Sequence, residues 1–401
     1  MADQHRVLIL SVSAGSGHVR AAEALAKSCE THPRVSHVLN VDALTYTSKL
    51  FRDFYSKLYL EMVRNAPALL GWFYETSDEP WKTDQMRLMM DRLNTGPLIK
   101  LIRRNNPDII ICTHFMPAGI ISHLISRKKI DSHLSIVVTD YHVHSMWLSR
   151  VFHHYFVANE ECKAYLAALG FPEDRILVSG IPIDPVFARR KDRAELRRRY
   201  GLRQDAPVIL LSAGTFGVTA AEEMVAALQR LKTPAQVVVV CGRNHALQLR
   251  VDARVKGFEP PHPEYRVIGY TADMDEWMAL ADLYIGKPGG LTAAEALARH
   301  LPMILFEPIP GQEERNSDYL LENGAALKCN ELMTLAFKTD ALLQDGPRTR
   351  AMRAAAARLA RPNAAREIVQ HLIAELHRAP VALRGGEAGR PRSSAGRRGI
   401  L

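Results

Sequence analysis

Cysteine is scarce in this chain, and long apolar runs are absent from it. The five cysteines lie far apart and form no Cys-x-x-Cys pair: Cys29, Cys112, Cys162, Cys241 and Cys329. This spacing argues against a disulfide framework and a zinc site, and it fits a reducing cytoplasm. No stretch reaches the roughly 18 uninterrupted apolar residues of a membrane-spanning helix, and residues 1–10 do not form a signal peptide. We therefore expect a cytoplasmic protein without a membrane span.

The composition is that of a folded protein with a moderate positive charge. Apolar residues make up 47% of the 401 residues and charged residues 24%, which excludes disordered and fibrous classes. Domains of about 100 to 200 residues predict two domains. The formal charge of +9 suits nucleic acid, anionic lipid or a phosphorylated substrate equally well. No RNA-binding motif or base-stacking sheet pattern appears, so we expect no nucleic-acid partner.

Short β-branched segments alternate with amphipathic helical patterns along both halves of the chain, which is typical of parallel α/β sheets. The predicted strands are 6–13, 35–41, 108–113, 134–139, 155–158 and 175–179 in the first half, and 207–212, 236–241, 265–268, 282–285 and 303–306 in the second. The runs VVVV and IIIC are apolar at consecutive positions, as expected for strands that are buried on both faces.

Prolines interrupt this alternation at 181–190 and divide the chain. We predict an N-terminal Rossmann-like domain at 1–185, a C-terminal one at 186–346 and Ala/Arg-rich helices at 347–378. Residues 379–401 are rich in Gly, Arg, Ser and Pro and are predicted to be disordered. Such a basic tail is either a solvated extension or a contact to an anionic membrane.

One inserted segment, 46–104, breaks the alternation and is helical in propensity. Its aromatic residues are interleaved with cations: Phe51, Phe54, Tyr55, Tyr59, Trp72, Phe73, Tyr74 and Trp81, with Lys49, Arg52, Lys57 and Arg64. Aromatic and cationic groups on amphipathic helices suit a membrane interface. The alternative is that the rings fill the core of a helical subdomain, and both interpretations stay open.

A small-residue loop follows the first predicted strand and leads into a helix. It contains Gly15, Ser16 and Gly17. Glycines let the backbone approach a ligand, and a helix N-terminus favours an anion. As a dinucleotide fingerprint the loop is incomplete, because Arg20 stands where the third glycine belongs. Asp42, at the end of the next strand, keeps an NAD site open as an alternative.

His18 ends this loop at the carboxyl edge of the predicted sheet, where open α/β sheets bind ligands. A histidine titrates near neutral pH, so His18 is a candidate general base for a hydroxyl proton. The alternative is a helix-capping or core histidine.

A second glycine loop follows the strand predicted at 282–285 and opens a helix. It contains Gly289, Gly290, Leu291 and Thr292. Backbone N–H groups at such a helix start are available to phosphate oxygens. Glu295 lies farther along the helix, where its carboxylate is a candidate acceptor for the vicinal hydroxyls of a ribose. A Walker A loop would end in Gly-Lys-Ser/Thr, so a P-loop nucleotidase is not predicted.

The segment 308–316, PIPGQEERN, follows the next strand at the same sheet edge. Amides and carboxylates bind sugar hydroxyls, so Gln312, Glu313 and Asn316 are candidates for recognising a sugar. The alternative for the acidic pair is a capped helix start.

Two groups have the residue types of a metal site. The first contains Asp140, His142 and His144, with His153 and His154 close in sequence. Histidines paired on loops are more often polar contacts than ligands. The second is the pair Asp273 and Asp275, which precedes a predicted helix and is better explained by N-capping. We predict no metal ion.

In combination and in this order, the glycine loop ending in histidine, the loop with Thr-x-x-Glu and the segment P-x-P-G-Q-E-x-x-N resemble glycosyltransferase family 28 over residues 6–326. That family includes diacylglycerol glycosyltransferases, monogalactosyldiacylglycerol synthases and the peptidoglycan N-acetylglucosaminyltransferase. The segments KPGGLTAAEA and PIPGQEERN are most similar to the bacterial processive diacylglycerol glucosyltransferases. The resemblance implies a GT-B fold, in which two Rossmann-like domains face a cleft and the C-terminal one holds a nucleotide sugar.

The resemblance also implies a role for each matching residue. His18 would be the acceptor base, and Asp140 would orient or assist it or help to bind the acceptor. Acceptor contacts would come from Gly15, Ser16, Gly17, His144 and Trp147. Donor contacts would come from Gly214, Thr215 and Phe216 over the phosphates, Gly269, Tyr270 and Met274 at uracil, Gly289, Gly290, Leu291 and Thr292 at the diphosphate, Glu295 at ribose, and Gln312, Glu313 and Asn316 at the hexose.

We therefore predict an inverting hexosyltransferase that uses UDP-glucose or UDP-galactose, with diacylglycerol or a glycosyldiacylglycerol as acceptor. It would need no metal or other cofactor and would lie on the anionic inner face of the cell membrane as a peripheral protein. Two alternatives stay open. One is a GT-B enzyme for another acceptor, such as a polyisoprenoid intermediate or a small metabolite, and the other is a non-catalytic nucleotide binder.

Overall fold

The structure is a computed structural model that describes residues 4–13, 15–47, 67–81, 96–214, 220–259 and 263–383. Two six-stranded sheets dominate it, and the strand pairings within both are parallel. The predicted α/β class is therefore confirmed.

The N-terminal sheet has the strand order β2-β1-β3-β4-β6-β7. Its strands are β1 (His5–Ser11), β2 (Val35–Asp42), β3 (Ile109–Cys112), β4 (His133–Val137), β6 (His154–Val157) and β7 (Ile176–Val178), and the two-residue strand β5 (Val151–Phe152) lies outside it. The helices of this half are α1 (Ser16–Glu30), α2 (Pro67–Ser77), α3 (Gly96–Asn105), α4 (Phe115–Ser126) and α5 (Glu160–Ala168).

The C-terminal sheet has the strand order β10-β9-β8-β11-β12-β13. Its strands are β8 (Val208–Ser212), β9 (Gln236–Val240), β10 (Glu264–Ile268), β11 (Leu283–Gly286), β12 (Met303–Phe306) and β13 (Ala326–Cys329). The helices are α6 (Arg193–Arg199), α7 (Ala221–Leu228), α8 (His245–Lys256), α9 (Met274–Leu280), α10 (Gly290–Ala298), α11 (Gln312–Glu322), α12 (Leu335–Gln344) and α13 (Gly346–Leu359).

The inner strands of both sheets are buried throughout, as their apolar runs predict. β3 and β9 have no exposed residue, because crossover helices cover both faces of a parallel sheet. The carboxyl ends of β1, β3 and β4 face those of β11 and β12 across the cleft between the domains, where α1 packs against α10.

The last helix, α14 (Ala364–Ala374), returns to the N-terminal domain. Ile368 and Leu372 join a core cluster with Val7, Ile9 and Leu25, whereas Ala356 of α13 packs in the core of the C-terminal domain. The predicted C-terminal helices therefore divide between the two domains, and the chain crosses between the domains twice.

The tail predicted to be disordered from residue 379 begins with ordered structure. β14 (Val381–Ala382) pairs antiparallel with β5, and the Leu383 N–H donates to the Arg150 carbonyl at 2.9 Å. The predicted start of the disordered tail at residue 379 is therefore wrong. The backbone of β5 supplies hydrogen-bond partners to these residues, and composition alone does not reveal such partners. Residues 384–401 lie outside the described residues.

The inserted segment is helical where the structure describes it, in α2 and α3. Leu69 and Trp72 of α2 are 54% and 61% exposed, whereas Trp81 stacks on Phe171 and lies under the Arg150 guanidinium. Trp72 is thus exposed, as the membrane-interface interpretation expects, whereas Trp81 is packed against other side chains, as the core interpretation expects. The predictions made for residues 48–66 fall outside the described residues. Across the described ranges, no helix combines the length and the apolar character that crossing a membrane requires.

Candidate functional site

His18 lies in the first turn of α1, at the bottom of the cleft between the domains. Its Nδ1 is 2.9 Å from the Thr113 carbonyl and 2.8 Å from the Thr139 hydroxyl. A carbonyl only accepts, so Nδ1 carries the hydrogen and Nε2 keeps the lone pair in the neutral ring. Burial lowers the pKa of His18, against the opposing effects of Asp140 and of the Thr113 carbonyl. The ring is therefore neutral near pH 7 and can accept a proton at Nε2.

Asp140 follows β4 and faces the C-terminal domain. Its oxygens accept hydrogen bonds from Gln312 Nε2 at 2.9 Å and from Asn316 Nδ2 at 3.2 Å. The negative charge of Asp140 also raises the pKa of His18. The link from Asp140 to the predicted base is thus electrostatic, while its hydrogen bonds join the two domains.

The N-terminus of α10 lies against the N-terminal domain and has no side-chain cap. The helix follows Gly289, which caps it with no side chain, so backbone N–H groups of its first turn remain available to an anion. A Cβ atom at Gly290 would collide with the Thr139 carbonyl, so only glycine fits there. Gly17 of α1 lies beside Leu291, and the two predicted glycine loops therefore meet in one place.

Glu295 is 1% exposed and pairs with a residue of the other domain. Its Oε1 is 2.5 Å from Arg20 Nη2, whereas its Oε2 is buried with no hydrogen-bond partner. Burial raises the pKa of Glu295 to about 7, although the nearby Arg20 lowers it. The carboxylate predicted to hold a ribose thus has one oxygen paired across the cleft and the other unpartnered.

Glu313 lies behind the α10 glycine loop. Its Oε2 accepts the Ile309 N–H at 2.7 Å, and its Oε1 points towards Gly289. Burial raises the pKa of Glu313 to about 7, opposed by the Ile309 N–H and by Lys287. Both predicted carboxylates therefore titrate near neutral pH.

Asn316 is fully buried between the two domains. Its Oδ1 accepts the Tyr141 N–H at 2.8 Å and its Nδ2 donates to Asp140. In this arrangement the side chain links the two domains, and its predicted contact with a hexose stays a prediction. Tyr319, one turn farther along α11, stacks on Tyr141 at 4.7 Å and extends the same contact.

His144 and Trp147 are also buried rather than open to an acceptor, at 2% and 3% exposure. His144 Nδ1 accepts the Met146 N–H at 3.1 Å, and its Nε2 donates to the Tyr74 carbonyl at 2.8 Å. His144 thus anchors α2. The centre of the Trp147 ring lies 6.3 Å from that of the His18 ring. The acceptor contacts predicted for both residues stay predictions.

The residues predicted to hold uracil lie at the end of β10 and the start of α9. Tyr270 is 60% exposed, and the Arg243 guanidinium lies 4.8 Å from its ring centre. Gly269 precedes it, and Met274 begins α9. Gly214 follows β8, whereas Thr215 and Phe216 lie outside the described residues.

Asp273 occupies the predicted N-cap position of α9, but without the expected capping bond. Its own N–H donates to the Thr271 hydroxyl at 3.0 Å. Asp275 is buried between Lys191 and Arg299, at 2.9 and 3.3 Å. The Asp-x-Asp pattern therefore supports the packing of α9.

The histidines first grouped with Asp140 lie at two different edges of the N-terminal sheet. His142 and His144 follow β4, whereas His153 and His154 lie just before and at the start of β6. Within the described ranges, no group of histidine, cysteine and acidic side chains has the geometry of a metal site.

The sequence reasoning missed Thr113, Thr139 and Arg20. The first two follow β3 and β4 at the same sheet edge as His18, and that placement is the signal that could have found them. No local pattern pairs Arg20 with Glu295, which lies 275 residues away.

Known proteins resemble this chain over nearly its whole length. The sequence of residues 18–183 matches the family model of the monogalactosyldiacylglycerol (MGDG) synthases. Residues 208–371 match the family model of the glycosyltransferase family 28 C-terminal domain. A processive diacylglycerol beta-glucosyltransferase of Bacillus cereus (strain AH187) is 31% identical over 378 residues, which cover 94% of this chain and 95% of that protein. One from Staphylococcus saprophyticus is 31% identical over 321 residues, 80% of each chain.

Among solved structures, MurG from Acinetobacter baumannii superposes with a TM-score of 0.60 at 18% identity. The match covers 92% of this chain and 99% of that one. The expected GT-B fold, with two parallel-sheet α/β domains facing a cleft, is therefore confirmed.

Proposed function

Because this chain belongs to glycosyltransferase family 28, we propose that it is an inverting hexosyltransferase. It moves glucose or galactose from a UDP-sugar to diacylglycerol or to a glycosyldiacylglycerol. The observation that carries the proposal is that His18, with Nε2 unprotonated, lies in the same cleft as the uncapped start of α10. A base and an anion site are thus adjacent, as transfer from a sugar diphosphate requires.

The donor occupies the C-terminal side of the cleft. The first-turn N–H groups of α10, from Gly290 to Thr292, bind the diphosphate, and Glu295 accepts hydrogen bonds from the ribose hydroxyls. Its buried, unpartnered Oε2 supports this role, because an orphaned carboxylate oxygen gains a missing donor when a hydroxyl binds. Arg20 gives up part of its contact with Glu295 as the ribose enters.

The transfer needs one proton acceptor and one stabilised leaving group. His18 Nε2 takes the proton of the acceptor hydroxyl, whose oxygen attacks the anomeric carbon from the face opposite UDP. The bond from that carbon to the diphosphate breaks, and its electron pair leaves with UDP. The N-terminal amides of α10 stabilise the growing negative charge, so the proposal includes no metal cofactor.

In this proposal the protein lies on the anionic inner face of the cell membrane, and the lipid acceptor reaches the site from that surface. The support is α2, which is anchored beside the cleft by His144 and exposes Leu69 and Trp72. Exposed aromatic and aliphatic side chains on one helix suit insertion at the level of the lipid headgroups.

The test is transfer by the purified protein. Radiolabelled UDP-glucose or UDP-galactose is supplied with vesicles that contain diacylglycerol, or in parallel with water-soluble alcohols. We expect label in the lipid fraction as a glycosyldiacylglycerol. Transfer to soluble alcohols but never to lipid would overturn the acceptor assignment, and absence of transfer from either UDP-sugar would overturn the enzyme assignment.

A further inference from the structure

An ion pair joins the two domains beside the candidate site, between α1 and α10. Arg20 of α1 donates from Nη2 to Oε1 of Glu295 in α10 at 2.5 Å. The Glu295 side chain is 1% exposed and that of Arg20 is 37% exposed. The carboxylate is therefore shielded from water, and the guanidinium reaches it from the opposite domain. Arg20 has no task of its own in the transfer proposed above.

Each of these two helices carries one half of the proposed reaction. α1 contains the base His18 two residues before Arg20, and α10 contains the anion-binding turn that begins at Gly290. The helices pack against each other, with Gly17 beside Leu291. A contact that fixes α1 on α10 therefore also fixes the base relative to the donor site.

The ion pair occupies one oxygen of Glu295 and leaves the other. Oε2 is buried and has no hydrogen-bond partner among the residues that the structure describes. A buried acceptor without a donor is costly, and the vicinal hydroxyls of a ribose are donors of the kind that Oε2 lacks. The contact with Arg20 therefore determines which oxygen of Glu295 is available to a nucleotide.

Arg20 also favours the charged form of this buried carboxylate. Burial raises the pKa of Glu295 to about 7, whereas Arg20 lowers it. The negative charges of Asp184 and Asp275 raise it further. Burial raises the pKa of the nearby Tyr284 hydroxyl, which therefore adds no charge. Without Arg20 less of the carboxylate would be ionised at neutral pH, and a protonated oxygen binds hydroxyl groups more weakly than an ionised one.

A second ion pair of α1 differs in these respects. Lys27, about two turns after Arg20, contacts Asp184 of the segment between the domains at 2.5 Å. The Lys27 side chain is 57% exposed, and exposed ion pairs contribute little to stability. Both oxygens of Asp184 already have a partner, since Oδ1 accepts the Val186 N–H at 2.9 Å. Lys27 is therefore the matched control for Arg20.

We propose that Arg20 is a positioning residue for the donor: it holds Oε1 of Glu295 from the opposite domain and thereby presents Oε2 to the ribose hydroxyls. The proposal rests on the ribose contact of the proposed function and names the residue on which that contact depends. Arg20 acts through Glu295 and keeps part of its contact when the nucleotide is bound. Because His18 lies on the same helix as Arg20, the bound nucleotide is held at a fixed place relative to the base.

The test measures nucleotide binding to the full-length protein by titration calorimetry. The probes are UDP and 2′,3′-dideoxyuridine diphosphate, which lacks both ribose hydroxyls. The variants are Arg20→Ala, which removes the guanidinium, Arg20→Lys, which keeps a cation, and the control Lys27→Ala. Each protein is measured at about pH 7 and at about pH 9, and thermal unfolding verifies the fold.

We expect Arg20→Ala to lose about tenfold in UDP affinity at about pH 7, as for a lost hydrogen bond to a charged group. Its affinity for the dideoxy nucleotide should stay within about twofold of the wild type, because no hydroxyl is there to contact Glu295. At about pH 9 the loss with UDP should shrink, since Glu295 then ionises without Arg20. Arg20→Lys should lie between the wild type and Arg20→Ala, and Lys27→Ala should match the wild type with both nucleotides.

Equal losses with the two nucleotides would assign Arg20 to the diphosphate or to the fold and would overturn the proposal. An unchanged UDP affinity of Arg20→Ala, a loss of the same size at both pH values, or the same losses in Lys27→Ala would overturn it too. A wild type that binds the two nucleotides equally would instead refute the ribose contact of the proposed function. The transfer assay with vesicles tests the hexosyl transfer separately.

Discussion

His18 combines a fixed tautomer with a lowered pKa, which are the two properties that a general base in this cleft requires. The Thr113 carbonyl fixes the tautomer, and burial keeps the ring neutral. Neither property depends on a bound ligand. The base is therefore ready before the acceptor arrives.

Replacing His18 should remove transfer and spare donor binding. We expect His18→Ala to lower kcat by about 100- to 10,000-fold, the usual contribution of a general base, because the acceptor hydroxyl loses its proton acceptor. UDP affinity, measured by calorimetry, should not change. His37→Ala, at an exposed position of β2, is the control and should behave as the wild type. Unchanged turnover of His18→Ala would remove His18 from the base role.

Donor affinity should depend on pH through Glu295. Its pKa of about 7 means that the carboxylate is ionised above neutral pH and protonated below it, and an ionised oxygen binds ribose hydroxyls more strongly. UDP affinity should therefore fall as the pH is lowered from about 8 to about 6. The variant Glu295→Gln should bind UDP weakly at every pH, with a flatter profile by titration calorimetry. An equally steep profile in the variant would assign the titration to another group, such as Glu313.

At the scale of elements, α2 is held beside the site by the hydrogen bond from His144 to the Tyr74 carbonyl, and it exposes Leu69 and Trp72 to solvent. We expect Trp72→Ala to weaken binding to anionic vesicles several-fold in a flotation assay, because a large exposed ring contributes strongly at a membrane interface. Leu249→Ala removes a side chain of similar exposure on α8, 57%, and should leave vesicle binding unchanged. Equal behaviour of the two variants would argue against α2 as the membrane contact.

The helix start at Gly290 fixes how closely the two domains approach. A Cβ atom there meets the Thr139 carbonyl, so Gly290→Ala should push α10 away from the loop that supports His18. We expect a strong loss of kcat with a smaller loss of thermal stability. Gly96→Ala, at the start of α3 where a Cβ atom meets nothing within 4 Å, is the matched control. A fully active Gly290→Ala enzyme would show that this close approach is not needed for transfer.

Most elements could be predicted from local pattern, because the strands are buried on both faces and their apolar runs are continuous. β13 was missed, since its short sequence ALKC includes Lys328 and lies at a sheet edge. The glycine loops could be found because each follows a predicted strand. Contacts across the domains could not, because the partners of Asp140 and Glu295 depend on how two separate sheets face each other.

At the scale of the whole molecule, a buried histidine cluster joins α14 to the N-terminal sheet. Its members are His133, His153, His154 and His371. The rings of His133 and His153 stack at 4.1 Å, and both ring nitrogens of His154 are buried without a hydrogen-bond partner. Arg175 and Arg378 face the cluster from neighbouring elements, whereas Asp131 and Glu375 oppose them. The cluster is therefore stable only when its rings are neutral.

This cluster should make the fold sensitive to acid. Burial lowers the pKa of His133 to about 2, of His154 to about 3 and of His153 to about 4, whereas an unfolded histidine titrates near about 6.5. Below that pH the unfolded chain binds more protons, so each histidine lowers the free energy of unfolding by about 1.4 kcal/mol per pH unit. The contribution of the cluster to Tm should therefore be constant above about pH 6.5 and fall below it. Glu295 and Glu313, whose pKa values are raised to about 7, act in the opposite direction between about pH 4.5 and 7 and make the measured slope shallower.

The variant His154→Phe removes one of these titrations and should flatten the acid limb of the Tm profile. His37→Ala, which removes an exposed histidine, should keep the slope of the wild type. Identical acid limbs in the wild type and in His154→Phe would contradict a role for the cluster.

The two chain crossings between the domains touch each other. The first leaves β7 at Gly180 and the second enters α14 after Arg361, and a side chain at Gly180 would collide with Arg361. Gly180 also has a φ of +81°, which favours glycine. The two segments that connect the domains therefore contact each other at Gly180 and Arg361, and this contact is a candidate hinge between the domains. Any rotation of one domain against the other is therefore expected to turn about this contact, as in hinge closure around a ligand.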